Sequence, residues 1–148
     1  MQTILLVDDE IDILDSLKPL LEASIADVQV RTAETGAQAL DVLRRERVDL
    51  ILSDYKMPGM NGLDFLEAAS RVAPGVPRIL ITAFPDLEIA IRAINEAGIE
   101  HFVTKPFNSD QVVEQVRAAL FKRRVDALWK DSLAKSIEQA RGRPASQP

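Results

Sequence analysis

Short apolar runs alternate with amphipathic segments along most of this chain, and that alternation is the signature of strand–helix–strand units around a parallel sheet. Five runs read as strands: Ile4 to Val7, a weaker Val28 to Val30, Leu50 to Leu52, Ile79 to Ile81, and the short Phe102-Val103. A run that is apolar at every position, such as Ile4-Leu5-Leu6-Val7, suits a central strand covered by helices on both faces. Between the runs, Ile11, Leu14, Leu17, Leu20 and Leu21 recur at three- and four-residue spacing, as do Ala39, Leu40, Val42 and Leu43 less cleanly, which predicts helices. Further helices are expected over Leu63 to Arg71, Leu87 to Ala97 and Asp110 to Lys122, with Gly98 as a C-cap to the fourth of the five. Pro85 reads as a signal for the start of that fourth helix. The segments 58–62 and 74–77, rich in Pro and Gly, punctuate the chain as loops.

Past Arg124 the character changes. Val125, Trp129, Leu133 and Ile137 recur every four residues with no strand signal, so a helical extension is expected over 125–140. The final residues, 141–148, have the composition of a disordered tail. The organisation expected is therefore one domain over 1–124, a helical linker and a tail. A single helix cannot bury an apolar stripe against itself, so the stripe calls for the domain surface, a second copy, or a further part of a longer protein continuing past Pro148.

Composition narrows the class. At 148 residues the chain holds one domain with a proper core and an appendage. It has no cysteine, which removes disulfide frameworks and thiolate zinc sites and is compatible with a reducing cytoplasm. Met1 to Val7 lacks a basic leader and its apolar run stops at Asp8, so no signal peptide is expected. No stretch approaches the roughly 18 apolar residues that cross a bilayer, and the expectation is a soluble, cytoplasmic protein without membrane contact. A net charge of -5 argues against a broad nucleic-acid-binding face, since affinity for phosphate backbones comes from clustered Lys and Arg.

In an open parallel sheet, ligands bind where loops converge at the carboxyl ends of the strands. Here the first strand ends in Asp8-Asp9-Glu10, the third in Ser53-Asp54, the fourth in Thr82-Ala83 and the fifth in Thr104-Lys105-Pro106. Packed acids repel one another, and a divalent cation relieves that repulsion. Oxygen-only ligands select a hard ion such as Mg²⁺, which uses one or two carboxylates and fills its remaining positions with water and phosphate oxygens. One carboxylate is then left to act as a phosphoryl acceptor, with Mg²⁺ and Lys105 supplying the positive charge that a transferring phosphoryl group needs.

Asp8-Asp9, Asp54 followed by 55–62, Thr82-Ala83 and Lys105-Pro106-Phe107 together closely resemble the receiver domains of two-component response regulators, over roughly residues 3–123. The resemblance implies an α/β, flavodoxin-like fold, a doubly wound five-stranded parallel sheet of order 2-1-3-4-5 flanked by five helices. It further implies that Asp54 accepts a phosphoryl group from the phosphohistidine of a sensor histidine kinase or from a phosphotransfer protein. Asp9, Asp54 and the backbone carbonyl of Lys56 would hold Mg²⁺, and Asp8 would act through a bound water. Lys105 and Thr82 would meet the phosphoryl oxygens, Phe102 would turn inward as Thr82 moves, and the Lys105-Pro106 bond would be cis. The chain would be a signalling switch and not an enzyme. It would act on its own phosphorylation and dephosphorylation only, controlling a homodimer or an output partner through the surface of its fourth helix, fifth strand and fifth helix. Lys56, Ala83 and Phe84 depart from the commonest residues at the phosphate entrance, where side chains tune the lifetime of the phosphoryl group.

Each residue also has a plainer reading. Asp8 and Asp9 alone read as N-caps of the next helix, Thr82 as a strand-end hydroxyl and Lys105 as a solvated lysine. Met57 and Met60 read as packing, and His101 has no second histidine with which to complete a metal site. Four motifs in order on four strand ends select the functional reading. Two enzyme classes on the same architecture fit the motifs less well. A flavin carrier needs a hydroxyl- and glycine-rich phosphate loop where this chain has acids, and a haloacid-dehalogenase-type phosphatase places its two aspartates two apart on the first strand. A receiver used only as an unphosphorylated interaction or dimerisation module would not require the complete set of chemical residues found here.

Overall fold

The computed structural model describes residues 1–83 and 86–142. Phe84 and Pro85, which carry the expectations about phosphoryl lifetime and the fourth helix's start, lie outside the described residues, as do 143–148. The five apolar runs become β1 (Gln2–Val7), β2 (Val28–Ala33), β3 (Leu50–Asp54), β4 (Arg78–Thr82) and β5 (His101–Thr104). They pair in parallel in the order β2-β1-β3-β4-β5. The helices between and after them are α1 (Ile11–Ser24), α2 (Gly36–Arg45), α3 (Gly62–Val72), α4 (Leu87–Asn95) and α5 (Ser109–Arg141). This is the flavodoxin-like arrangement that the sequence led us to expect.

Parallel strands need crossover connections that lay helices on both faces, so the sheet has two cores. Successive residues of β1 divide between them. Ile4 and Leu6 join Leu14, Leu17 and Leu21 of α1 and Val112, Val116 and Leu120 of α5. Leu5 and Val7 join Leu40 and Leu43 of α2, Phe65 and Leu66 of α3 and Ala93 of α4. A continuous apolar run is therefore what a two-sided strand requires, and Ile4 to Val7 are completely buried.

Edges deviate from the sequence reading for the same reason. The edge strand β2 extends three residues beyond Val30, through polar Arg31 and Thr32, because it is held by pairing with β1 more than by burial. At the other edge, β5 buries only Val103. Side-chain caps fix four of the helix starts: Thr35 accepts from the Gln38 amide, Asn61 from Asp64, Asp86 from Ile89 and Asn108 from Asp110. Gly98 adopts a φ of 61°, as a residue closing a helix in the left-handed region does.

Two helices stand apart. Only Ala93 of α4 is buried, while Leu87, Ile91 and Ile94 are at least half exposed. Polar anchors hold this helix instead. Arg92 reaches Asp64 (2.7 Å) and Glu67 (3.0 Å) on α3, and Arg78 donates to the carbonyls of Ala97 (2.8 Å) and Gly98 (3.3 Å) beyond the helix end. The other is α5, which runs unbroken through Arg124 for 33 residues, about 50 Å at 1.5 Å per residue. Its buried residues stop at Leu120, and from Arg124 onward every described residue is exposed. Arg141 is its last residue and Gly142 its C-cap.

Candidate functional site

Because all five strands run the same way, their carboxyl ends open onto one side of the domain. A cleft of about 570 Å³ there is lined by Asp9, Asp54, Lys56, Thr82 and Lys105, together with neighbours from the loop after β3. One ligand oxygen from each of Asp8, Asp9 and Asp54 can be chosen so that all three lie within 4.8 Å of one another. Asp54 is the last residue of β3 and is nearly buried, Asp8 follows β1 and is fully buried, and Asp9 is exposed to the cleft.

Lys105 reaches this cluster from the opposite wall. Its Nζ lies 3.1 Å from Asp54 Oδ1 and 3.5 Å from Asp8 Oδ2. The Lys105 amide donates to the Thr82 carbonyl at 2.9 Å, tying the strand end to its neighbour, and the Lys105-Pro106 bond is cis. Thr82 is buried at the end of β4, and Phe102 is partly buried on β5 opposite Leu80. Lys56 is exposed at the cleft rim.

Electrostatics mark the cluster as a place built for added positive charge. Asp8 Oδ1 accepts the Glu10 amide at 2.9 Å, but Oδ2 has no hydrogen-bond partner, since Lys105 at 3.5 Å is a Coulombic neighbour only. Burial pushes the Asp8 carboxyl up to about 6, with the Glu10 amide opposing and the Asp54 charge adding. Burial likewise raises Asp54, against the pull of Lys105. Desolvation disfavours the charge on Lys105, but Asp54 and Asp8 outweigh it, so the ammonium is held more firmly than in water. An orphaned buried oxygen, two carboxyls raised by desolvation and a set of oxygen donors fit a hard divalent cation. The protein atoms alone leave the cluster under-compensated.

The sequence reading gave no site role to four further residues. Glu10, Met57 and Pro58 also line the cleft, which their place next to the motif residues could have suggested. Gly62 is the less visible one. A Cβ there would sit 2.2 Å from the Asp54 carbonyl oxygen and 2.8 Å from Tyr55 Cα, so the loop after β3 can fold back on the end of β3 only with glycine at this position. The Gly62 amide donates to the Tyr55 carbonyl at 2.7 Å and locks that return. The Asn61-Gly62 pair in the sequence signals a turn but not the close approach.

An open, doubly wound parallel sheet with an acidic cluster and a lysine at its carboxyl edge defines a class of signalling domains, and comparison with known proteins gives the family. Residues 4–117 match the response regulator receiver domain, and the chain belongs to that family. It is 36% identical over 118 residues to the hydrogenase transcriptional regulatory protein HoxA of Cupriavidus necator, covering 80% of this chain and 24% of that one. It is 34% identical over 147 residues to the transcriptional regulatory protein GlrR of Escherichia coli, covering 93% and 32%. The chain thus spans about a quarter to a third of the length of these two relatives. Among solved structures, a CheY-like response regulator receiver domain from Methanospirillum hungatei superposes with a TM-score of 0.80 at 32% identity, over 85% of this chain and 98% of that one. Receiver domains of this kind are signalling modules, typical of phosphorylatable two-component regulators. Among the described residues, no helix is long and apolar enough to cross a membrane.

Proposed function

We propose that this chain is a phosphorylation-operated switch in which Asp54 takes a phosphoryl group from the phosphohistidine of a sensor kinase or phosphotransfer protein. The observation that carries the reading is the Lys105 ammonium 3.1 Å from an Asp54 carboxylate that shares its site with Asp8 and Asp9. An Asp54 oxygen attacks phosphorus as the P–N bond breaks and the imidazole nitrogen keeps the electron pair. Attack by water on phosphorus later returns Asp54 and inorganic phosphate. Asp9, Asp54 and the Lys56 carbonyl would hold Mg²⁺ directly and Asp8 through water, and the ion would neutralise charge on the phosphoryl oxygens. Lys105 pairs with those oxygens and Thr82 moves to donate to them.

The output of this reading is a population shift. Thr82 gains a hydrogen bond by moving toward the phosphoryl group and vacates space that Phe102 fills, repacking α4, β5 and α5. Support comes from α4, whose apolar residues are largely exposed and whose hold on the domain is polar, so its position is inexpensive to change. The exposed Phe121, Val125 and Trp129 continue that surface along α5, and a phosphorylation-dependent homodimer, or an output partner in the cytoplasm, is the readout.

Intact-mass measurement with acetyl phosphate tests the reading. One phosphoryl group should add in the presence of Mg²⁺ and none with chelator or in Asp54→Asn. Equal labelling of wild type and Asp54→Asn would overturn the assignment.

A further inference from the structure

At the opposite end of the sheet from Asp54, a second cleft of about 460 Å³ lies between the amino ends of the strands and the outer part of α5. Its wall includes Arg47, Lys122, Arg123, Arg124 and Lys130, against the carboxylates of Asp49, Glu100 and Asp126. Five cations facing three carboxylates leave a local surplus of two positive charges on a chain whose net charge is -5.

Two of the three acids are committed, and Asp126 forms no ion pair among the described residues. Asp49 is buried, accepts the Thr3 amide at 2.9 Å and pairs with Arg123 at 3.3 Å and Arg47 at 3.5 Å. Glu100 pairs with Lys122 at 3.1 Å. Arg124 and Lys130 form no ion pair among the described residues, and the Arg47 side chain is largely exposed despite its contact with Asp49. Arg124 and Lys130 are six residues apart on one helix, about 9 Å along its axis and roughly 120° around it, and both line the cleft. That separation suits a ligand with more than one anionic group better than a single ion. Arginine forks match phosphate oxygens in pairs. Among the described residues no aromatic side chain lines the cleft, so recognition would run through the phosphates and not through a stacked base.

We propose that this cleft binds a small ligand carrying two or more linked phosphate groups. The ligand spans from Arg47 at the base of the sheet to Arg124 and Lys130 on the projecting helix, and so holds the start of that helix against the domain. The strands separate it from Asp54 by about 17 Å, five residues at roughly 3.3 Å each, so it does not compete for the acidic cluster.

Titration calorimetry of the full chain with inorganic tripolyphosphate, in chelator and at low salt, tests this. Saturable one-to-one binding is expected, with orthophosphate about tenfold or more weaker and affinity falling as salt rises. Arg124→Glu/Lys130→Glu should lose about tenfold or more in affinity, while phosphoryl uptake from acetyl phosphate, which reports an intact fold, stays unchanged. Arg44→Glu/Arg45→Glu on α2 makes the same change in net charge outside the cleft and should bind as wild type does. No saturable binding, equal affinity in the cleft variant, or equal loss in the α2 variant would each overturn the proposal.

Discussion

Removing the charge of Asp8 tests most directly how the acidic cluster is balanced. Asp8 is fully buried, its Oδ2 lacks a hydrogen bond, and burial lifts its carboxyl from 3.8 to about 6. A rise of about 2 units corresponds to about 3 kcal/mol. Between 3.8 and 6 the folded state binds more protons at Asp8 than the unfolded chain does, so stability from this group is fully present below 3.8. It is lost as pH rises through 6. In chelator, Asp8→Asn should therefore gain on wild type as pH climbs from roughly 4 to 7.5, by up to about 3 kcal/mol. For a domain of this size that is about 6 to 12 °C in Tm. Millimolar Mg²⁺ at neutral pH should close most of the gap, because the cation has one more carboxylate charge to offset in wild type than in Asp8→Asn. Thermal melts of both proteins across pH, with chelator and with Mg²⁺, provide the measurement. A gap that is flat with pH, or equal with and without Mg²⁺, would refute the reasoning.

Three further outcomes follow from other parts of the molecule. Gly62→Ala, whose Cβ would meet the Asp54 carbonyl, should cost about 1–3 kcal/mol in urea unfolding and slow phosphoryl uptake, because the acceptor strand or its loop must shift. Asp49→Ala leaves the Thr3 amide without its acceptor and Arg123 with only the Gly75 carbonyl, and should cost about 2–4 kcal/mol in the same assay, with phosphorylation chemistry retained. Trp129, 70% exposed, is the only tryptophan. Its emission and the sedimentation of the chain should change when beryllofluoride stands in for the phosphoryl group on Asp54, and Thr82→Ala should blunt both changes. An equal response in Thr82→Ala would remove that threonine from the route.

What could be read from the chain is tied to period and order. A strand with a helix layer on each face must be apolar at every position, so Ile4 to Val7, Leu50 to Leu52 and Ile79 to Ile81 announced themselves, and with them the parallel sheet. Edge strands carry a weaker signal because only part of each is buried, which is why β2 and β5 were read short. The motif residues could be named because a parallel sheet sends every strand's carboxyl end to the same side, whatever the loops between them do.

Tertiary structure decided what depends on distance between remote segments. Asp8 and Lys105 stand nearly a hundred residues apart in sequence, and their 3.5 Å separation, with the orphaned oxygen it leaves, exists only once the sheet has formed. Gly62 belongs to the run 55–62 after Asp54, but its necessity comes from the approach of Asp54's carbonyl, which the run does not reveal. The second cleft is likewise assembled from the amino ends of strands and the far side of α5, none of which forms a local pattern. Local periodicity records which face of each element is buried, whereas desolvation, close approach and charge balance arise between elements and appear only when the chain is packed.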